Sequence, residues 1–174
     1  MKIKSIGYAL PTKKVTNEDI LRDVELKSSK YMSQGDLKKL KLKIEDLFKK
    51  SGSDVRYQRA EGETSLQFGI KAGKEALEKA NMSPKDIDLL LYVGVGRGWI
   101  EPATSNVFLD SLKLKKATGF DILDACASWM RALQMAYLYT KSGTYKNIMI
   151  MNCEFNTYEY TTTEFKNYQE IDYL

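Results

Sequence analysis

The sequence predicts an α/β fold with a largely parallel central sheet, and three observations carry that prediction. Strand-like apolar runs alternate with segments of helical period along the chain. The run "DLLLYVGV" at 88–95 shows no alternation, as expected of a strand buried on both faces. There is no internal repeat at a fixed period and no low-complexity linker. With 174 residues the chain is about one domain long, enough to bury roughly 70% of the surface exposed by its unfolded form.

Taken in order, residues 2–8 alternate weakly and read as a first strand. In "VTNEDI", Thr16 is placed to cap a helix, with Asp19 three residues on and Val15 and Ile20 positioned as a hydrophobic staple. The stretch "GDLKKLKLKIEDLFKK" repeats Leu37, Leu40, Ile44, Leu47 and Phe48 at helical spacing opposite a lysine-rich face. Those lysines form a solvated face or a docking surface for an acidic carrier protein or for coenzyme A phosphates. "SGSDVRYQRAEGE" reads as a loop. Thr64 and Gln67 then make a second capping box, opening a helix that buries Leu66, Ile70, Leu77 and Ala80 and ends near Asn81. "SPKD" starts a further turn, with Pro84 where its missing N–H is no loss.

The strand at 88–95 leads into "GVGRGWIEPAT". Its glycines do not make a dinucleotide fingerprint, because the third glycine of G-x-G-x-x-G falls on Trp99. A short helix is expected over about 103–112, a strand over 118–123, a helix running to about Lys141, a turn at "SGTYKN" and a strand over 148–153. The tail "NTYEYTTTEFKNYQEIDYL" is polar, aromatic and aperiodic. It shows no closing element, so residues 1–174 read as an incomplete unit finished by something else.

Composition narrows the function classes. A net charge of +4, without basic residues interleaved with aromatics, gives no reason to expect nucleic acid. The N-terminus lacks a signal-peptide run, and the longest apolar run is far short of a membrane span. Cys126 and Cys153 form neither a disulfide scaffold nor a C-x-x-C pair, which fits a reducing cytoplasm. The chain has no histidine. That removes imidazole-based zinc sites, a Ser-His-Asp triad and any Cys-His pair formed within the chain. Neither a metal nor a resident cofactor is expected.

The stretch "FDILDACASWMRAL" at 120–133 places Cys126 between a strand end and an apolar helix. Two readings of the residues are open. A free cysteine is often a small buried hydrophobe. A thiol in the first turn of a helix is also favoured as thiolate by unpaired N–H groups, by about 0.3–1 kcal/mol. That is useful but incomplete activation for a nucleophile.

Three segments in this order, "IGYALPTKKVTNEDI", "GIKAGKEALEKANMSPKDIDLLLYVG" and "DILDACASWMRAL", make residues 1–160 resemble the N-terminal half of a 3-oxoacyl-acyl-carrier-protein synthase III of the thiolase superfamily. The resemblance implies a thiolase-like half with helices on both sheet faces. It also implies Cys126 as the nucleophile that carries an acyl thioester, and Claisen condensation with a second thioester. The family's histidine and asparagine come from its C-terminal half, so this chain reads as half an active site, inactive in condensation by itself. Acyl-CoA or an acyl-carrier protein is the implied substrate partner, and a homodimer formed near the 88–95 strand and the following loop, with Trp99 and Ile100, is the implied assembly. Cys153, on an apolar strand, reads as structural.

The sequence departs from that pattern in places. Ala127 and Ser128 precede Trp129 where the family has a small residue and glycine, and residues 31–50 lack its tryptophan-containing coenzyme A segment. Glu101, in "WIEPAT", stands where an ordinary synthase III has an apolar residue that reaches into the neighbouring subunit's site. There the sequence resembles the head-to-head acyl-CoA condensing enzymes of olefin biosynthesis, which implies Glu101 as the base removing an α-proton. A carboxylate in an apolar tunnel is a stronger base than one in water. The plain alternative is a solvent-facing glutamate ahead of a helix. Two other functions stay open at this level: an acyltransferase of the same fold forming C–O or C–N bonds, and a non-catalytic partner subunit.

Overall fold

The computed structural model describes residues 1–96, 100–155 and 162–173. The chain divides into two compact units, Pro11–Gly62 with Phe155–Leu174, and Met1–Leu10 with Glu63–Glu154.

In the first of these units, β1 (Lys13–Thr16) leads directly into α1 (Asn17–Ser28), followed by α2 (Gln34–Ser51) and β2 (Val55–Gln58). The expected capping box is present: Asp19 N donates to Thr16 Oγ1 at 3.2 Å, and Thr16 N to Asp19 Oδ2 at 2.9 Å. The bond from the Thr16 backbone, then that from its hydroxyl, holds the Asp19 carboxyl below the usual range. Val15 is buried, as a staple residue should be. Val24, Leu37, Leu40 and Ile44 form the core between the two helices, whereas Leu47 is exposed. α2 ends on Gly52, whose φ of 65° is left-handed. Its lysines are largely spoken for locally. Lys39, Lys41 and Lys50 pair with Asp36, Glu25 and Asp46, and Lys39 and Lys43 lie over the Tyr168 ring.

Two expectations are corrected in this unit. The stretch read as a loop contains β2, which pairs antiparallel with β1 from Lys13↔Gln58 to Thr16↔Val55. The tail also has packed structure, because Phe165 is buried among the α1 and α2 residues. Phe165 N donates to Ser28 Oγ at 2.9 Å, and that hydroxyl donates to Thr163 O.

The second unit holds α3 (Ser65–Lys79), β3 (Leu89–Gly94), α4 (Thr104–Ser111), β4 (Thr118–Leu123), α5 (Ser128–Ser142) and β5 (Ile148–Met151). The Thr64–Gln67 capping box and the Pro84 turn are both present. The sheet order is β4-β3-β5 and both pairings are parallel. Every residue of β3 is buried, which explains the unbroken apolar run. Leu90 and Tyr92 pack with Leu77, Phe108 and Leu112 of α3 and the α4 region. Leu89, Leu91 and Val93 pack on the other face against Ala132 of α5. Helices therefore cover both faces. Burying each such leucine contributes about 1.5–3 kcal/mol.

Residues 2–8 are not a strand here, contrary to their alternation. They run along α3 instead: Ser5 Oγ donates to Ala76 O at 2.7 Å, and Tyr8 N donates to Glu75 Oε2 at 2.7 Å. Gly7 makes this possible. A Cβ there would lie 2.1 Å from Ala72 O, so only glycine lets the segment approach the helix so closely. Among the described residues no helix is long and apolar enough to cross a membrane.

Candidate active site

The strands of the parallel sheet end at one edge, with Gly94 opposite Leu123 and Tyr92 opposite Met151. Ligands of open α/β sheets bind outside such carboxyl ends. Cys126 follows β4 at this edge and is exposed. The chain reaches it through a sharp turn. Ala125 has a φ of 45°, a left-handed value uncommon for a residue with a side chain, and Ala125–Ala127 forms one 3-10 turn. The α-helix begins only at Ser128, so Cys126 lies just ahead of the first helical turn rather than in it. The reason is the turn itself, where Ala127 N bonds Asp124 O and Ser128 N bonds Ala125 O.

Ser128 locks the turn in place. Its hydroxyl is buried, accepts from Asp124 N at 2.7 Å and donates to Gly94 O at 2.8 Å. One side chain thus ties the Cys126 turn to the end of β3. The other side of the same Gly94–Val95 peptide is held by Glu154. The Glu154 carboxylate accepts from Val95 N at 2.9 Å, from Gly96 N at 2.9 Å and from Asn152 Nδ2 at 3.2 Å. Gly94 has no room for a side chain here, since a Cβ would sit 2.6 Å from Glu154 Cδ.

Glu101 is exposed and lies three residues before α4, with the neighbouring Ile100 95% exposed. No hydrogen bond or ion pair joins Glu101 to Cys126 among the described residues. The start of α4 is nevertheless tied to the strand that leads to Cys126. Asp121 on β4 accepts from Thr104 N and Ser105 N, both at 2.8 Å. The part of the dimer expectation that rests on Trp99 lies outside the described residues.

Cys153 follows β5 and is partly buried. Its Sγ donates to Ser65 O, and burial pushes the thiol up to about 11. Tyr92 donates its hydroxyl to Cys153 O at 3.3 Å, and burial raises that phenol well above its ordinary value. Among the described residues no cluster of three or more His, Cys, Asp or Glu side chains could hold a metal ion.

Ser128, Glu154 and Asp121 were not singled out by sequence. Ser128 carried a faint signal, a polar residue opening an otherwise apolar helix. Glu154 bonds to the chain that follows β3, and Asp121 to the start of α4, partners distant in sequence of which local pattern gives no warning.

No protein-family model matches the chain. It is similar to the beta-ketoacyl-[acyl-carrier-protein] synthase III of Helicobacter pylori, 28% identical over 153 residues covering 87% of this chain and 41% of that protein. The enzyme of the same name from Sulfurovum sp. is 32% identical over 128 residues, covering 72% of this chain and 38% of its own. The chain thus spans less than half the length of these relatives. Among solved structures, 3-oxoacyl-[acyl-carrier-protein] synthase III from Aquifex aeolicus superposes with a TM-score of 0.75 at 30% identity, over 95% of this chain and 48% of that one. A Xanthomonas campestris OleA with cysteine replaced by serine, holding lauric acid and lauroyl-CoA, has a TM-score of 0.71 at 17% identity, over 87% of this chain and 43% of that one.

Proposed function

Because the chain resembles the N-terminal half of a 3-oxoacyl-acyl-carrier-protein synthase III in sequence and fold, we propose that it supplies the nucleophile half of a condensing enzyme. The enzyme joins two acyl thioesters by Claisen condensation through an acyl-Cys126 intermediate. The observation that carries this reading is the exposed thiol on the left-handed Ala125 turn, bolted by Ser128 to the end of β3.

In the first step the Cys126 thiolate attacks the carbonyl of an acyl-CoA or acyl-carrier-protein thioester. The coenzyme or carrier thiol leaves, taking up a proton. In the second, the α-carbanion of another thioester attacks the acyl-Cys126 carbonyl, forms the C–C bond and releases the Cys126 thiolate. Glu101 is the base that removes the α-proton to make that carbanion. Solved OleA structures include a cysteine variant and a glutamate variant, whose positions are separated by the same chain length, to within one residue, as Cys126 and Glu101. The condensation step needs imidazole donors that this histidine-free chain lacks. They come from a second, histidine-bearing half that covers the exposed apolar residues of α5, Trp129, Met130 and Leu138. The complete enzyme is a cytoplasmic homodimer.

The test is a comparison of the chain alone with the complete enzyme. The chain alone accepts an acyl group but shows no condensation turnover, and robust C–C bond formation by it would contradict the half-site. In the complete enzyme, Glu101→Ala leaves acylation of Cys126 largely intact. Condensation drops about tenfold or more, equivalent to about 1.4 kcal/mol of transition-state stabilisation. Unchanged condensation would return Glu101 to the surface.

A further inference from the structure

We infer that Glu154 is a positioning residue for the Cys126 nucleophile, an assignment that rests on the reading of Cys126 as the acyl acceptor. Glu154 follows β5 and Cys126 follows β4, the two outer strands of the parallel sheet. Between them, at the end of the central strand β3, lies the Gly94–Val95 peptide. Each outer element bonds to one side of it.

A trans peptide is planar, with its C=O and N–H pointing in opposite directions, so a group that fixes one aims the other. Val95 N donates to both oxygens of the Glu154 carboxylate, at 2.9 and 3.1 Å. The Gly94 carbonyl on the far side accepts from Ser128 Oγ at 2.8 Å. A hydroxyl has one proton. Given to Gly94 O, it leaves a lone pair for Asp124 N, which donates to Ser128 Oγ at 2.7 Å. The donors therefore run in one direction, from Asp124 N–H through Ser128 and the Gly94–Val95 peptide to a negative charge. Bonds aligned in this way polarise one another, and the ionised acceptor at the end strengthens the last of them.

Both ends of this relay are anchored. Asn152 Nδ2 donates to Val93 O at 2.6 Å and to Glu154 Oε2 at 3.2 Å, which keeps the carboxylate against β3. At the other end, Asp124 and Ser128 bracket Cys126 in sequence and enclose the left-handed Ala125 turn. A carboxylate that only satisfied Val95 N and Gly96 N would steady the loop after β3 and leave Cys126 alone. The Ser128 bond to the same peptide carries its effect across the sheet. Misplacing a reacting group by about 1 Å can cost up to about 100-fold, so the relay acts on the attack of the thiolate and not on the binding of the acyl donor.

The experiment is a double-mutant cycle in the chain, with acyl transfer from acyl-CoA to Cys126 followed by peptide mass spectrometry. Glu154→Ala is expected to lower the limiting rate of acylation about fivefold or more, and less than about twofold in the Ser128→Ala background. The acyl-CoA concentration that gives half the limiting rate stays the same. Glu154→Gln keeps the size of the side chain and removes only the charge. In that variant the Asp124 amide exchanges with deuterium about threefold faster or more, read by NMR, while the Leu91 and Tyr92 amides of β3 keep their rates. Equal losses of acylation in both Ser128 backgrounds would overturn the proposal, as would an Asp124 amide whose exchange is unaltered in Glu154→Gln. Absence of acyl transfer to Cys126 in the unaltered chain would instead overturn the reading of Cys126 as nucleophile, and the two failures are therefore distinct.

Discussion

Two cysteines follow the ends of the two outer strands of one parallel sheet, and they meet opposite environments. Cys126 comes three residues after β4 and is exposed. Cys153 comes two residues after β5, with its sulfur bonded to Ser65 O and its thiol pushed up to about 11 by burial. Position at the carboxyl edge of a sheet therefore does not by itself expose a thiol. What differs is the local covalent path. The left-handed Ala125 and the Asp124–Ser128 bond turn Cys126 outward, whereas Cys153 points toward α3, where Gly69 leaves space for it.

The largest expected break in that comparison is Cys126→Ser, which abolishes thioester formation, while Cys153→Ser leaves it in place. Radiolabelled acyl-CoA with acid-stable precipitation reads both. Next comes Ser128→Ala, which deprives the Gly94 carbonyl and the Asp124 N–H of their partner. The buried carbonyl costs about 1–3 kcal/mol and the part-buried N–H less, measured as a shift in the urea midpoint. Alkylation of Cys126 also changes once its turn is released, and an unaltered rate would show that Ser128 does not hold it.

A third variant works on the buried cysteine. A Cβ at Gly69 would fall 2.5 Å from the Phe108 ring and 3.1 Å from Cys153 Sγ. Gly69→Ala is expected to cost about 1–3 kcal/mol through overpacking, again read by urea, and a neutral variant would mean the pocket is looser than its contacts. The smallest effect is one of pH. Burial raises the Cys153 thiol to about 11, so the folded chain keeps this proton longer than the unfolded chain does. The resulting stability is fully present below the ordinary thiol value and is lost as pH rises through about 11. Cys153→Ala should flatten the stability loss between about pH 9 and about pH 11, leaving the contribution of Tyr92, whose raised phenol acts in the same direction at higher pH.

The sequence pattern revealed those parts of the molecule whose causes are local. The capping residues Thr16 with Asp19 and Thr64 with Gln67 announce helices because each box is closed within four residues. The run at 88–95 announces a doubly buried strand because burial on both faces demands it. Val55–Gln58 escaped notice because a short, half-exposed strand depends on its partner, Lys13–Thr16, rather than on its own composition. Residues 2–8 misled for the converse reason: their alternation fits a strand, but a contact with Ala72 that only Gly7 permits lays them along α3. The context of "DACAS" marked Cys126 as a candidate, and the structure places it exposed after β4. Of the residues that hold it and the Glu101 segment, Ser128 left only a faint signal, and Glu154 and Asp121, which bond to elements distant in sequence, left none.

The central claim is that Cys126 is the acyl-accepting nucleophile, and its most direct test is the site of acylation on the chain itself. The chain is incubated briefly with acyl-CoA at neutral pH, digested and read by peptide mass spectrometry. The account predicts an acyl mass increment on the peptide containing Cys126, with Cys153 unmodified until the protein is unfolded. Acylation of native Cys153 ahead of Cys126 would contradict it.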